Sequence, residues 1–145
     1  MLKSLLQPPP LSARASTGLL VVRVIAGLAF VLHGWGKIQH PFSWGGPNSP
    51  YPAFLLGLAA LSEFGGGIGW MLGLLTPLSC FGIACTMVTA IHLHMVTMKQ
   101  SFVATGPGEG SYELAAVYLA VAVLLALAGP GRWSADRFLF GQKAV

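Results

Sequence analysis

AFLLGLAALSEFGGGIGWMLGLL, residues 53–75, is almost wholly apolar, and Glu63 near its middle is its one charged residue. A helix needs about 20 residues to cross a bilayer, so this stretch is long enough to be a membrane span. A carboxylate at the bilayer centre costs at least about 2.5 kcal/mol, so it persists only beside a partner or a water-filled pocket. We therefore take Glu63 as the first candidate for a functional residue.

The composition of the whole chain indicates an integral membrane protein. Of its 145 residues, 54% are hydrophobic and 8% are charged, and the mean hydropathy is +0.72. A soluble domain carries about 25% charged residues. The net charge of +4 comes from scattered basic residues, a pattern typical of membrane topology and lipid contact. We expect the lipid bilayer as the surrounding medium and no nucleic acid as a partner.

Four apolar segments are within reach of a bilayer crossing, namely 17–36, 53–75, 78–97 and 112–128. Only helices and closed barrels satisfy their backbone groups in lipid, and unbroken apolar runs of this length indicate helices. The second and third segments meet at Thr76-Pro77, where proline suits the first turn of a new helix, so we expect a tight hairpin. The predicted fold class is all-α, an integral membrane four-helix bundle.

The distribution of lysine and arginine predicts the orientation of this bundle. Basic residues favour cytoplasmic loops. One side would hold Lys3, Arg14, Arg132, Arg137 and Lys143, and the other only Lys37 and Lys99. Both termini are therefore predicted to be cytoplasmic. The predicted organisation is a flexible or interfacial N-terminal segment (1–16), a four-span helical domain (17–141) and a C-terminal tail (142–145).

Ionisable residues on the first span form one polar stripe. Arg23, His33 and Lys37 recur at spacings that return close to the same side of a helix. We expect this stripe to face Glu63 inside the bundle. Arg23 and Glu63 differ by about 10 Å in depth, at about 1.5 Å per residue. Two long side chains and a water can bridge that distance, so an Arg23–Glu63 pair is expected, serving either helix register or a site.

Histidines supply further candidates in the outer half of the bundle. His92 and His94 are two residues apart, which places them on different sides of a helix, so they cannot bind one metal and we predict no metal site. His92 could face inward together with His33. Two such histidines can hold a haem or relay protons. Hydrogen bonding to a neighbour is the favoured interpretation, and haem is kept only as an alternative.

Several short motifs occur in a characteristic order along the chain. They are Arg23 with His33-Gly34-Trp35-Gly36-Lys37, Glu63-Phe64-Gly65-Gly66-Gly67, Gly73-Leu74-Leu75-Thr76-Pro77, Glu113, and the run from Gly129 to Asp136. Together they resemble the DoxX family of small four-helix membrane proteins over residues 18–141. The resemblance implies an association with membrane redox chemistry, as in thiosulfate:quinone oxidoreductases. It also implies polar family positions at Arg23, His33, Lys37, Glu63, Glu113, Arg132 and Asp136.

The leading functional hypothesis is a redox-associated subunit that binds a quinone-like or other small ligand in the outer half of the bundle. The predicted catalytic residues are Glu63, His33 and His92, and the predicted cofactor-binding residues are Arg23, Lys37 and Glu113. An alternative is a non-catalytic accessory subunit of a larger membrane complex. Transport through the polar stripe is a third class, and whether the chain is an enzyme stays open. The expected partners are other membrane proteins or a second copy, in a bacterial or archaeal plasma membrane.

Overall fold

The computed structural model describes residues 11–140, and the regular elements in this range are helical. The α-helices are α1 (Ala13–Gln39), α2 (Ala53–Leu72), α3 (Thr76–His92), α4 (Glu113–Ala128) and α5 (Ala135–Phe140). A single π-helical turn, Leu93–Thr97, continues α3. Residues 1–10 of the predicted N-terminal segment and the predicted tail 142–145 lie outside the described residues, whereas residues 13–16 already belong to α1.

Three of these helices are long and apolar enough to cross a membrane, as judged by length and composition: α1, α2 and α3 with its π-helical continuation. The helix α4 is apolar but has 16 residues, or about 24 Å, against about 30 Å for a hydrocarbon core. Large apolar side chains point outward from the bundle, for example Ile25, Leu32 and Phe81. A membrane environment accounts for this surface, while the four-span arrangement and its orientation stay predictions.

The helix ends follow local chemistry. The side chain of Ser12 caps α1 by accepting a hydrogen bond from the amide of Ala15 at 3.2 Å. The helix α2 ends because Gly73 adopts φ +63°, a left-handed conformation that glycine takes without strain. Pro77 lies in the first turn of α3, where its missing amide hydrogen costs nothing. The tight hairpin expected at Thr76-Pro77 is thereby confirmed.

Glycines bring α1 and α2 into close, antiparallel contact. A Cβ atom on Gly27 would lie 2.6 Å from the carbonyl oxygen of Gly67, and one on Gly34 would lie 2.6 Å from the amide nitrogen of Phe64. No side chain fits at these distances, so the two backbones pack directly against each other, as is common between membrane helices. This contact determines which residues of α1 and α2 lie opposite each other.

An aromatic cluster fills the centre of the bundle. The ring of Phe30 packs edge-on against Trp70, with centroids 5.4 Å apart, and lies 4.8 Å from the ring of Tyr118 on α4. Ile83 on α3 and Leu125 on α4 are fully buried beside this cluster. These contacts join all four long helices into one core, in which successive helices run in opposite directions.

After α4 the chain turns and crosses one end of the bundle. Gly131, at φ +83°, packs against the backbone and side chain of Ser16 in the first turns of α1. The start of α1, the α2–α3 turn and α5 therefore share one end, which we call the Asp136 end. The opposite end contains the last turn of α1, the α1–α2 loop (40–52) and the α3–α4 loop (98–112), and we call it the Lys37 end.

Candidate functional site

A buried ion pair lies between α1 and α2 near the Lys37 end. The ammonium group of Lys37 donates to both carboxylate oxygens of Glu63, with Nζ 2.7 Å from Oε1 and 2.6 Å from Oε2. The side chain of Glu63 is 5% exposed and that of Lys37 is 27% exposed. The carboxylate is thus taken out of solvent and lipid, whereas the side chain of Lys37 stays partly exposed.

The helix geometry explains why these two side chains meet. Lys37 lies one turn beyond Gly34 on α1, and Gly34 packs against the backbone of Phe64, the residue after Glu63. The close glycine contact brings the helices near enough for a lysine and a glutamate to make two short hydrogen bonds. Charge-assisted bonds of this length are the strong kind and satisfy both oxygens of the carboxylate.

Trp44 covers the ion pair from the α1–α2 loop. The Nζ atom of Lys37 lies 4.5 Å from the centroid of the Trp44 ring, close enough for a cation–π interaction. The indole nitrogen of Trp44 donates to the carbonyl oxygen of Leu56 at 2.9 Å, which fixes the ring over the first half of α2. Trp44 is not among the residues predicted from the sequence, so sequence reasoning missed its part in this site.

The expected Arg23–Glu63 pair is not formed. The guanidinium group of Arg23 instead donates to the carbonyl oxygens of Trp70 and Met71, each at 3.3 Å, and to that of Trp133. The last carbonyls of a helix lack intrahelical partners and carry partial negative charge, so the end of α2 attracts a buried arginine. Arg23 therefore belongs to the Asp136 end, and Lys37 takes the place beside Glu63 that we expected Arg23 to occupy.

Asp136 completes the polar contacts around the α2–α3 turn. Its carboxylate accepts hydrogen bonds from the amides of Leu75 at 2.7 Å and Thr76 at 2.8 Å, and its own amide donates to the carbonyl oxygen of Gly73. Asp136 thus caps α3 from a distant part of the chain, and an anion at that position also suits the helix dipole. Arg23 and Asp136, both buried, hold the two sides of one turn.

The remaining predicted site residues do not converge on Glu63. His33 and His92 are both exposed on the outside of the bundle, which contradicts the inward orientation we expected for them. Glu113 is exposed at the start of α4. His94 is partly buried, and its Nδ1 atom forms a 2.6 Å hydrogen bond to the amide oxygen of Gln100. Of the six predicted site residues, Lys37 and Glu63 are the pair in direct contact.

The described residues contain no group of three or more histidine, cysteine or acidic side chains arranged to hold a metal ion. What the Lys37 end offers is a paired carboxylate and ammonium group under an aromatic ring, surrounded by apolar helices. Such an arrangement can donate a hydrogen bond, exchange a proton and stack a flat molecule.

Comparison with known proteins decides the family of this chain. The family model described as DoxX matches residues 18–100, more than half of the sequence. The chain belongs to the DoxX family. The match includes most of α1 and all of α2 and α3, and with them Arg23, Lys37 and Glu63, whereas α4 and α5 lie beyond the matched residues.

Two bacterial relatives support this membership. The DoxX chain is 33% identical over 130 residues to the inner membrane protein YqjF of Escherichia coli, covering 84% of this chain and 92% of that protein. It is 31% identical over 143 residues to an uncharacterized membrane protein of Mycobacterium tuberculosis, covering 91% of this chain and 87% of the relative. No solved structure matches the chain significantly. These relatives and the apolar helices identify this DoxX chain as a membrane protein.

Proposed function

We propose that this DoxX protein is a redox-associated subunit that binds a quinone-like small ligand beside the Lys37–Glu63 pair. The observation that carries the proposal is a partly exposed lysine side chain whose ammonium group lies between a buried carboxylate and the face of Trp44. An ion pair inside apolar helices is expensive to desolvate. A binding role accounts for both the pair and the access that Lys37 retains.

The hydrogen-bonding capacity of Lys37 favours a ligand with a carbonyl oxygen. An ammonium group has three N–H donors, and two of them point at the oxygens of Glu63. The third can donate to a carbonyl oxygen that approaches from the exposed side of Lys37. The Trp44 ring and the apolar helix surfaces suit the flat, apolar body of a quinone.

The same pair can move protons. Reduction of a quinone takes up protons, and Glu63 and Lys37 are positioned to exchange one at a carbonyl oxygen within hydrogen-bonding distance. Electrons would come from a partner protein or a reduced substrate. The proposed setting is a bacterial plasma membrane, with other membrane proteins or a second copy as partners.

Calorimetric titration with a short-chain quinone, using purified full-length protein in neutral detergent, tests this proposal. We expect the wild type to bind and Lys37→Gln to bind about tenfold more weakly or worse, because a hydrogen bond to a charged group contributes about 1.5–3 kcal/mol. Lys99→Gln is the matched control, since Lys99 is an exposed lysine of the α3–α4 loop, and it should bind like the wild type. Absence of wild-type binding, or equal binding by Lys37→Gln, would refute the proposal.

A second candidate is an accessory subunit without catalysis, in which the same contacts serve only structure. The observation that favours it is that Glu63, Arg23 and Asp136 all find their partners within the fold and join separate helices. Under this hypothesis the purified protein carries only lipid, and a larger membrane protein co-purifies after gentle extraction. Mass spectrometry of the solvent extract and of the co-purifying chains separates the two candidates, because a stoichiometric quinone is expected only under the first.

A further inference from the structure

The Asp136 end carries solvent-accessible charge of one sign. The chain has four acidic residues. Glu63, Glu109 and Glu113 belong to the half of the bundle toward the Lys37 end. The fourth, Asp136, is buried, and its carboxylate is occupied by the amides of Leu75 and Thr76. No acidic side chain is therefore exposed at the Asp136 end, although three arginines lie there, namely Arg14, Arg132 and Arg137.

These arginines have no anionic partner in the described part of the chain. The ion pair found within residues 11–140 is Lys37–Glu63, at the other end of the molecule. Arg14 and Arg132 are exposed and Arg137 is partly buried. The three guanidinium groups therefore leave a field of positive charge that nothing in residues 11–140 neutralises.

Large apolar side chains lie among these arginines. Phe138 is 89% exposed, Trp133 is 60% exposed and Leu139 is 57% exposed. Phe138 and Leu139 belong to α5, and Trp133 lies in the segment between α4 and α5. Exposed aromatic and aliphatic groups interleaved with arginine are typical of segments that lie in the boundary between lipid headgroups and acyl chains.

The segment that presents these side chains is held in place by the fold. The carbonyl oxygen of Trp133 accepts a hydrogen bond from Arg23, and the amide and carboxylate of Asp136 bind the α2–α3 turn. Gly131 packs against Ser16 of α1. The arginines and the apolar groups are thus fixed across the end of the bundle, where a membrane-spanning helix meets the headgroup layer.

We propose that Arg14, Arg132, Trp133, Arg137, Phe138 and Leu139 form a binding surface for anionic phospholipid headgroups. The charge complementarity selects this occupant. A second copy apposed through the same surface would bring like charges together, whereas an anionic leaflet supplies negative headgroups for the arginines and acyl chains for Phe138 and Leu139. The surface is separate from the Lys37–Glu63 site and does not depend on the function proposed for it.

Lipid retention tests this surface. The full-length protein is reconstituted into bilayers of equal parts phosphatidylcholine and phosphatidylglycerol and extracted in neutral detergent, and the retained lipids are counted by native mass spectrometry. We expect the wild type to retain phosphatidylglycerol in clear excess. Arg132→Gln combined with Arg137→Gln should lose most of that excess, with an affinity for phosphatidylglycerol lower by on the order of tenfold or more.

Two control variants keep the test decisive. Lys99→Gln removes one positive charge at the Lys37 end and should retain the wild-type excess. Arg132→Lys combined with Arg137→Lys preserves the charge and should also retain most of it. Equal retention of the two lipids by the wild type overturns the proposal, as does an unchanged excess in the double glutamine variant. A change of oligomeric mass in that variant, with lipid retention unaltered, would assign the surface to a second copy and also overturn it.

Discussion

Lys37 and Glu63 differ in how strongly each depends on the other. Glu63 is 5% exposed and Lys37 is 27% exposed, so removal of the lysine leaves an almost fully buried carboxylate without its cation. Removal of the glutamate leaves an ammonium group that can still turn toward water and the Trp44 ring. Uncompensated burial of a charge, rather than the strength of the pair itself, dominates the cost of such a substitution.

We predict that Lys37→Met destabilises the protein by about 2–4 kcal/mol and Glu63→Met by less. The double variant should recover much of the loss, because an apolar pair of similar volume avoids desolvation of both charges. Denaturant titration of the protein in detergent measures all three, with Lys99→Met as the exposed control. Additive losses in the double variant would contradict this account of the pair.

At the scale of the helices, glycine positions on α2 have different surroundings. A Cβ atom on Gly67 would lie 2.7 Å from the carbonyl oxygen of Gly27 and 2.8 Å from the amide of Val31, whereas one on Gly65 would meet only the end of the Leu61 side chain at 3.5 Å. Gly65, Gly69 and Gly73 recur at intervals of four residues. Gly67, one turn after Glu63, packs directly against the backbone of α1.

We predict that Gly67→Ala destabilises the bundle by about 1–3 kcal/mol, because the added methyl group forces two packed backbones apart. Gly65→Ala should be neutral or stabilise slightly, since alanine favours a helix by up to about 1 kcal/mol over glycine. The same denaturant titration compares the two. Gly67→Ala should also weaken the Lys37–Glu63 contact, and equal stability of the two variants would show that the helices can separate without cost.

The α3–α4 loop contains a turn organised by a carboxylate. Glu109 accepts hydrogen bonds from the amide of Thr105 at 3.0 Å, from its hydroxyl group at 3.1 Å and from the amide of Gly106 at 3.1 Å. These bonds lower the pKa of Glu109 below its ordinary value, the Thr105 amide contributing most. The carboxylate is fully exposed, so water and salt limit the effect on stability.

We predict that this turn loosens in acid. A group with a lowered folded pKa stabilises its fold above the unfolded pKa, and that contribution is lost as the pH falls through the folded value. Below about pH 4, the amides of Thr105 and Gly106 should therefore lose protection against hydrogen exchange. Protection is measured relative to unstructured peptide at the same pH. In Glu109→Gln this additional acid dependence should be absent. Unchanged relative protection in the wild type would contradict the prediction.

At the scale of the whole molecule, the direction of the helices bears on topology. The start of α1 contacts Gly131 after α4, so both ends of the described chain lie at the Asp136 end. Arg14, Arg132 and Arg137 gather there, whereas Lys99 lies in the α3–α4 loop at the opposite end. The positive-inside rule predicts that the Asp136 end is cytoplasmic. The 16-residue α4 would then cross with local thinning of the bilayer.

We predict that Lys99→Cys, in a Cys80→Ser and Cys85→Ser background, reacts with a membrane-impermeant maleimide added outside intact cells. A cysteine at Arg132 should react only after the membrane is opened, because the positive-inside rule predicts that this loop is cytoplasmic. Gel shift of the labelled protein reads both positions. If Arg132→Cys but not Lys99→Cys is labelled in intact cells, the orientation is the reverse of the predicted one. Equal labelling of both positions in intact cells would place them on one side of the membrane and contradict the four-span arrangement.

The all-helical class, the hairpin at Thr76-Pro77 and the need of Glu63 for a partner could all be predicted from the sequence alone. The length of an apolar run, the position of a proline and the cost of burying a carboxylate can each be read from a short stretch of sequence. They hold whichever helices pack nearby. The resemblance to DoxX proteins was likewise visible in short motifs, and the family match confirmed it. Membership of the family did not identify which residues touch.

The choice of the cation that pairs with Glu63 depends on the tertiary structure. At the rise of a helix, the depth of Arg23 differs from that of Glu63 by about 10 Å, and the depth of Lys37 differs from it by about 11 Å. The spacing along α1 therefore does not predict which of the two cations pairs with Glu63. The choice came from the register of α1 on α2, set by backbone contact at Gly27 and Gly67. It also came from the carbonyls of Trp70, Met71 and Trp133, which hold Arg23 elsewhere. Helix rotation likewise placed His33 outside, because a broad polar stripe on α1 does not specify which part of it faces a neighbour. His92, at the end of α3, is also exposed.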